Sequence, residues 1–322
     1  MGSTRAVTLP DAVCLMGPTA SGKTALAIEL LAHHPVEIIS VDSAQIYRGM
    51  DIGTGKPDAN TLARAPHHLL SFLDPAETYS AADFRRDALR LIGEIKARGN
   101  TPLLVGGTMM YFRLLRDGMA SMPESDPEVR AAIEAQAHVE GWAAVHAELE
   151  KVDPEAAARI HPNDPQRLQR ALEVYRVSGK TLSALHAEEA AERLKGNKSG
   201  LDLTFCAIQG VERGVLHERI KTRFFQMLED GLVDEVRALY ERGDLSLSLP
   251  SMRSVGYKQV WQHLAGELSY EEMVDRGIIA TRQLAKRQVT WLRSWDDLHS
   301  LPSSTHDSLH KLLKIVVSAA TI

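Results

Sequence analysis

Residues 17–24 read GPTASGKT, and the fold turns on how this stretch is read. It fits the spacing GxxxxGK[ST], with Gly17, Gly22, Lys23 and Thr24 at the fixed positions, a pattern in which loop N–H groups wrap around phosphates. Chance yields such a string in roughly 1% of chains of this length, given ordinary glycine usage. The apolar run AVCLM (12–16) precedes it, and TALAIELLAHH (24–34) follows with helical spacing and stops before Pro35. Strand, loop, helix is the context the motif requires. Loop amides and the helix N-terminus attract anions, Lys23 adds a full charge, and Thr24 offers a hydroxyl to Mg2+.

Working outward, VEIISVD (36–42) and TPLLVGG (101–107) read as further buried strands, with a helical stretch over 80–98 between them. Strands alternating with helices predict an α/β fold, a P-loop-containing doubly wound parallel sheet. Beyond residue 122 the pattern changes to helices alone. Asp126-Pro127 and Asp164-Pro165 each place a cap acceptor before a proline at the first helical position. We expect a helical insertion domain over 123–200, closed by the loop GNKSG (196–200), between core segments 1–122 and 201–322. LTFCAIQGV (203–211) returns to the sheet, and helices follow over about 213–242, 252–264 and 270–294, the last opened by a capping box of Ser269 and Glu272.

In an open parallel sheet, ligands bind beyond the carboxyl ends of the strands. Asp42, Ser43 and Gln45 leave the second strand there, and Gly106, Gly107 and Thr108 leave the third. A carboxylate at Asp42 has three readings: Mg2+ ligand, general base or cap of the following turn. The third strand ends in Gly-Gly-Thr rather than an Asp, which disfavours an ordinary ATPase and favours the kinase-like P-loop group.

The 322 residues are 44% hydrophobic and 25% charged, the balance of a soluble globular protein. The apolar run over 103–112 is shorter than the roughly 20 residues a bilayer span needs, and MGSTRAVTLP (1–10) lacks a signal-peptide core. The expectation is a cytoplasmic protein with no membrane partner. Cys14 and Cys206 sit in apolar strands, which reads as buried thiols and excludes a disulfide framework. His67 and His68 lack a second ligand pair at metal spacing, and His33 and His34 sit at a helix end where charge–dipole complementarity suffices, so no transition metal is assigned. Net charge is −5, yet residues 276–293 carry Arg276, Arg282, Lys286, Arg287 and Arg293 with no acidic residue. That stretch is either a solvated helix face or a polyanion footprint.

The ordered set GPTASGKT, VDSAQIYRGMDIGTGKP (41–57), LLVGGTMMYF (103–112), DPQRLQRALEVY (164–175), RSVGYKQVW (253–261) and KRQVTWLR (286–293) resembles the bacterial tRNA dimethylallyltransferase family, over about residues 12–295. The resemblance implies transfer of a dimethylallyl group from dimethylallyl diphosphate to N6 of adenosine 37 in tRNA by a monomer, with Mg2+ and without ATP consumption. It implies that residues Gly17, Pro18, Thr19, Ala20, Ser21, Gly22, Lys23 and Thr24 hold the diphosphate, that Thr24 meets Mg2+, and that Arg223 supplies a further cation. Spacing alone would make Arg223 a surface helix residue. By resemblance Asp42 is the general base and Thr108 a hydroxyl lining the channel; by sequence alone Thr108 is a turn residue.

The tRNA contacts implied are Asp42, Ser43, Ala44, Gln45 and Thr108 near the strand ends, and Arg130, Gln166, Arg167, Leu168, Gln169 and Arg170 in the insertion. Arg253, Ser254, Val255, Gly256, Tyr257 and Lys258, then Lys286, Arg287, Gln288, Trp291 and Arg293, complete the set. Leu168, Leu172 and Tyr175 can instead face the insertion's own core, Tyr257 can be structural, and Trp291 and Trp295 either stack on a nucleotide or belong to the core. Met109 and Met110 after Thr108 depart from the family pattern and either line the isopentenyl pocket or pack against the sheet, of which packing is the preferred reading, and a C-terminal Cys/His zinc finger is absent from the sequence. Other readings are an adenylate isopentenyltransferase, a small-molecule P-loop kinase, or an RNA-binding switch without catalysis.

Overall fold

The computed structural model describes residues 10–118, 122–194 and 200–318. The N-terminal stretch 1–9 and, apart from Gly200, the loop expected over 196–200 lie outside them. The chain divides into two compact units, Met1–Arg116 with Leu201–Ile322, and Asp117–Gly200.

The larger unit is built on strands β1 (Ala12–Met16), β2 (Val36–Val41), β3 (His67–His68), β4 (Thr101–Gly106), β5 (Leu203–Ile208) and β6 (Leu298–Leu301). They form one parallel sheet in the order β3-β2-β4-β1-β5-β6. Side chains alternate between faces along each strand, so Cys14, Met16, Ile39, Val41 and Leu104 enter one core while Val13, Leu15, Ile38 and Leu103 enter the other. Covering both faces is what makes these strands read as unbroken apolar runs. The edge strands β3 and β6, which the sequence reading did not anticipate, are short, the first wholly polar and the second half-polar, and carry no such run.

Along the chain the first helices are α1 (Lys23–Leu31), α2 (Ala59–Arg64), α3 (Ala81–Ala97) and α4 (Met109–Asp117). A capping box of Ser80 and Asp83 starts α3, and Phe84, Ala88, Leu91, Ile92 and Ile95 recur on its buried face.

The smaller unit holds α5 (Pro127–Glu140), α6 (Trp142–Val152), α7 (Pro154–Arg159), α8 (Pro165–Ser178) and α9 (Leu182–Leu194) around a core that includes Ile133, Val145, Leu149, Leu168 and Leu172. Asp126 and Asp164 cap their helices as expected from Asp-Pro, and Asp153-Pro154 is a third instance. Asp153 is buried and accepts from the amides of Ala156 and Ser183, so it caps α7 and separates it from α6.

The chain returns through β5 to α10 (Arg213–Glu229), α11 (Leu232–Tyr240), α12 (Tyr257–Leu264), α13 (Tyr270–Arg293) and α14 (Thr305–Ser318). The helix expected over 213–242 is two, because Gly231 takes a left-handed conformation between α10 and α11. Turns and bends occupy 247–256, so α12 begins at Tyr257 rather than at 252. The capping box of Ser269 and Glu272 opens α13. The terminal α14, also unanticipated, packs Leu309, Leu312 and Val316 against Leu26 and Leu30 of α1.

Candidate active site

At the carboxyl ends of β1, β2 and β4 lies a cleft of about 810 Å³, whose lining includes Thr24, Asp42, Gly55, Gly107 and Arg223. Its floor is the loop from β1 into α1. No side chain caps the α1 N-terminus and its first turn has no acidic residue, which leaves helix-end N–H groups for an anion. The Ser21 hydroxyl is buried without a hydrogen-bond partner, a cost that a phosphate oxygen at the loop would remove. Lys23 donates to Pro18 O over 2.7 Å, folding its ammonium back across the loop. Burial lowers the Lys23 pKa to about 8, with the Asp42 charge opposing that shift and the Arg223 charge adding to it.

Arg223 on α10 makes no hydrogen bond or ion pair among the described residues, and burial lowers its pKa too. Its guanidinium lies against Gly55, where an added Cβ would fall 1.6 Å from a guanidinium nitrogen and the backbone has φ +62°. No residue with a side chain fits both constraints, so the second glycine of DIGTGKP makes room for the cation. Lys23 and Arg223 set two positive charges against Asp42 beside the loop, while Lys56 and the carboxylates Asp51, Asp58 and Asp230 also line the cleft, so the positive charge that suits a polyanion is local to the loop rather than a property of the whole cleft.

Asp42 Oδ1 accepts from the amides of Ala44 (2.9 Å) and Gln45 (3.3 Å). The capping geometry among the three readings is therefore present, as a turn rather than a helix start, and it leaves Oδ2 uncommitted to any such bond. The Thr108 hydroxyl accepts from Ser43 N at 3.1 Å, which ties the corner after β4 to the residue following Asp42. Gln45 donates through Nε2 to Thr54 O and Gly55 O, joining that turn to the Arg223 loop.

Two residues that the sequence reading missed hold the 51–56 loop. Glu235 on α11 accepts from the amides of Asp51, Ile52 and Gly53 and from the Tyr257 hydroxyl. Lys56 donates to Tyr47 O, Asp51 and Ser71 with its side chain 4% exposed. The two glycines of DIGTGKP were the available signal for close packing there; nothing near Glu235 in the sequence announces its partner.

Several expected tRNA contacts are placed otherwise. Tyr257 and Gly256 are buried, and burial with Glu235 beside it pushes the Tyr257 pKa far up. That corrects Tyr257 to its structural alternative. Leu168 and Gln169 are buried inside the smaller unit, Gln169 donating to Arg130 O and Glu134, so neither reaches a surface ligand. Gln288 is also buried and engages Thr19 and Gly107. Trp295 packs in the core against Phe205, and Trp291 lies partly buried against the same cluster with Arg113 above its ring. Met109 is buried and Met110 is exposed, so packing holds for the first alone.

Exposed and open to a ligand are Ser43, Gln166, Arg167, Arg253, Lys258, Lys286, Arg287 and Arg293. In the smaller unit, Arg130 and Arg170 both converge on the buried Glu173, which also accepts from Ser125 Oγ and Asp126 N. Burial alone would raise that carboxyl; the bonds from Arg130 and Arg170 override it and hold the pKa at about 2.

The family model described as IPP transferase matches residues 45–295. The chain belongs to the IPP transferase family. An isopentenyl transferase model also matches, over residues 10–71. Among solved structures, a full-length tRNA isopentenylpyrophosphate transferase from Bacillus halodurans is 35% identical, with 96% of this chain and 97% of that one covered and a TM-score of 0.69. A tRNA delta(2)-isopentenylpyrophosphate transferase from Staphylococcus epidermidis is 32% identical over 95% of this chain and 98% of that one, also at 0.69. A eukaryotic dimethylallyltransferase acting on tRNA is 27% identical at a TM-score of 0.73, covering 96% of this chain and 77% of the larger relative. The IPP transferase chain thus has the P-loop fold expected from its first motif, and no helix among its described residues is long and apolar enough to cross a membrane.

Proposed function

We propose that this IPP transferase moves the dimethylallyl group of dimethylallyl diphosphate onto N6 of adenosine 37 in tRNA. The observation that carries the reading is the meeting, in one cleft, of a phosphate loop, the unpaired Arg223 and a carboxylate with a free oxygen. The C–O bond of the diphosphate ester breaks, the N6–C bond forms, and the proton lost from N6 goes to Asp42. Loop amides, Lys23 and Arg223 stabilise the charge that develops on the leaving diphosphate. The uncommitted Asp42 oxygen takes the proton while its other oxygen stays in the turn. The exposed Thr24 hydroxyl in the cleft would hold a Mg2+ ion beside the phosphate loop. When bound, that ion supplies further charge neutralisation to the diphosphate.

The test is transfer of radiolabelled dimethylallyl diphosphate into unmodified tRNA, with AMP as a competing acceptor and ATP as a competing donor. Label mapping to N6 of adenosine 37 supports the reading; label in AMP alone, or ATP turnover without prenyl transfer, overturns it.

The exposed basic residues provide the grip on RNA phosphates. Arg167, 75% exposed and paired among the described residues only with its own cap Asp164, separates cleanly from Arg170. Arg167→Ala is expected to keep its unfolding midpoint while weakening tRNA binding and reducing the salt slope by about 1. Arg170→Ala strands part of the buried Glu173 and is expected to cost about 1–3 kcal/mol of stability. An unchanged salt slope in Arg167→Ala would show that this face is merely solvated.

A further inference from the structure

Gln288 lies on α13 directly after Lys286 and Arg287, which are exposed, yet Gln288 itself is 8% exposed. Both ends of its amide are engaged: Oε1 accepts from Thr19 N at 2.8 Å, and Nε2 donates to Gly107 O at 2.9 Å. Thr19 belongs to the loop after β1 and Gly107 to the corner after β4. One side chain therefore bridges two neighbouring strand ends that hold the phosphate loop and Thr108. The packing has no slack, since a Cβ on Gly107 would lie 2.4 Å from Gln288 Nε2. A primary amide is the side chain that can accept at one end and donate at the other while remaining uncharged beside an anion site.

We propose that Gln288 is a positioning residue, which sets the spacing between the phosphate loop and the Gly107–Thr108 corner and so shapes the diphosphate site. With the Thr19 N–H held by α13, the conformation of the loop at that point is fixed before any anion arrives, and the ordering cost falls on folding rather than on binding. The proposal rests on the reading of the cleft as a diphosphate site and removes Gln288 from the RNA contacts that sequence resemblance implied.

The experiment measures inorganic diphosphate binding with Mg2+ by calorimetry, tRNA binding by filter retention, and steady-state prenyl transfer, on the full chain. Gln288→Ala is expected to weaken diphosphate binding about 10-fold or more and to lower kcat/KM for dimethylallyl diphosphate by up to about 10²-fold, with tRNA affinity and its salt slope unchanged. Gln288→Glu keeps the shape and the acceptor, but loses the donor and adds a negative charge, so it should bind diphosphate more weakly than the alanine variant. It also serves if the alanine variant does not fold. Gly107→Ala should reproduce the loss, and combining it with Gln288→Ala should cost little more than either alone. Unchanged diphosphate affinity in both Gln288 variants, or a loss confined to tRNA binding, overturns the proposal. Wild-type protein that binds diphosphate but does not prenylate tRNA would sink the functional reading and leave the Gln288 comparison decisive. Wild-type protein that does not bind diphosphate would overturn both.

Discussion

Asp42→Asn is expected to lower the rate of prenyl transfer by about 10²–10⁴-fold while leaving tRNA affinity within a few-fold of wild type. Asparagine is the informative replacement because Asp42 has a second job, accepting through Oδ1 from the amides of Ala44 and Gln45. The asparagine carbonyl can take both bonds, so the turn that carries Ser43 towards Thr108 persists. What it cannot do is accept a proton from N6. Asp42→Ala removes both functions and should lose as much turnover with additional disorder of the turn. A single-turnover measurement with tRNA prebound isolates the chemical step. If Asp42→Asn retained more than about a third of the wild-type rate, the carboxylate would be a turn residue and not the base.

Lys23→Met should reduce kcat/KM for dimethylallyl diphosphate by about 10²–10³-fold, the usual consequence of deleting one charged donor at a site of developing negative charge. The wild-type protein offers a second, independent readout. Burial holds Lys23 at a pKa of about 8 in the free site, and a bound diphosphate restores the charged form. Below pH 8 the ammonium is already protonated and binding exchanges no proton with it. Between about 8 and the ordinary lysine value of 10.5, binding must take up a proton, so affinity falls as pH rises. Calorimetry in buffers of different ionisation enthalpy should detect that uptake near pH 9 and its absence in Lys23→Met; equal uptake in both would remove Lys23 from the diphosphate. The sign for folding is opposite. The unfolded chain binds the extra proton over the same window, so charged Lys23 costs stability below pH 8 and that cost fades as pH rises.

What could be read from the residues follows from how local each interaction is. The loop GPTASGKT, the apolar strands on either side of it and the Asp-Pro caps are interactions within a few residues, and periodicity or capping chemistry suffices to find them. The edge strands β3 and β6 escape because a short, polar or half-polar strand is defined by the neighbour it pairs with, not by its own pattern. Burial within the basic motifs divides in the same way. In QRLQR the exposed Gln166 and Arg167 stand beside the buried Leu168 and Gln169, and helical geometry separates them only once the packed face is known.

The sequence by itself determined the class of fold, the location of the phosphate loop and, through its ordered motifs, the family. Each of these rests on contiguous residues whose chemistry is the same in any surroundings. Only the tertiary structure decided which side chains reach the cleft and what each is already bound to. Arg223 became a free cation against Gly55, and Arg170 became the partner of a buried carboxylate. Glu235 became the clamp of the 51–53 amides, and Gln288 the bridge from α13 to the loop, across 269 positions of chain. A side chain's role depends on desolvation and on hydrogen-bond partners brought from elsewhere in the chain, and those terms exist only after the sheet has gathered its strand ends.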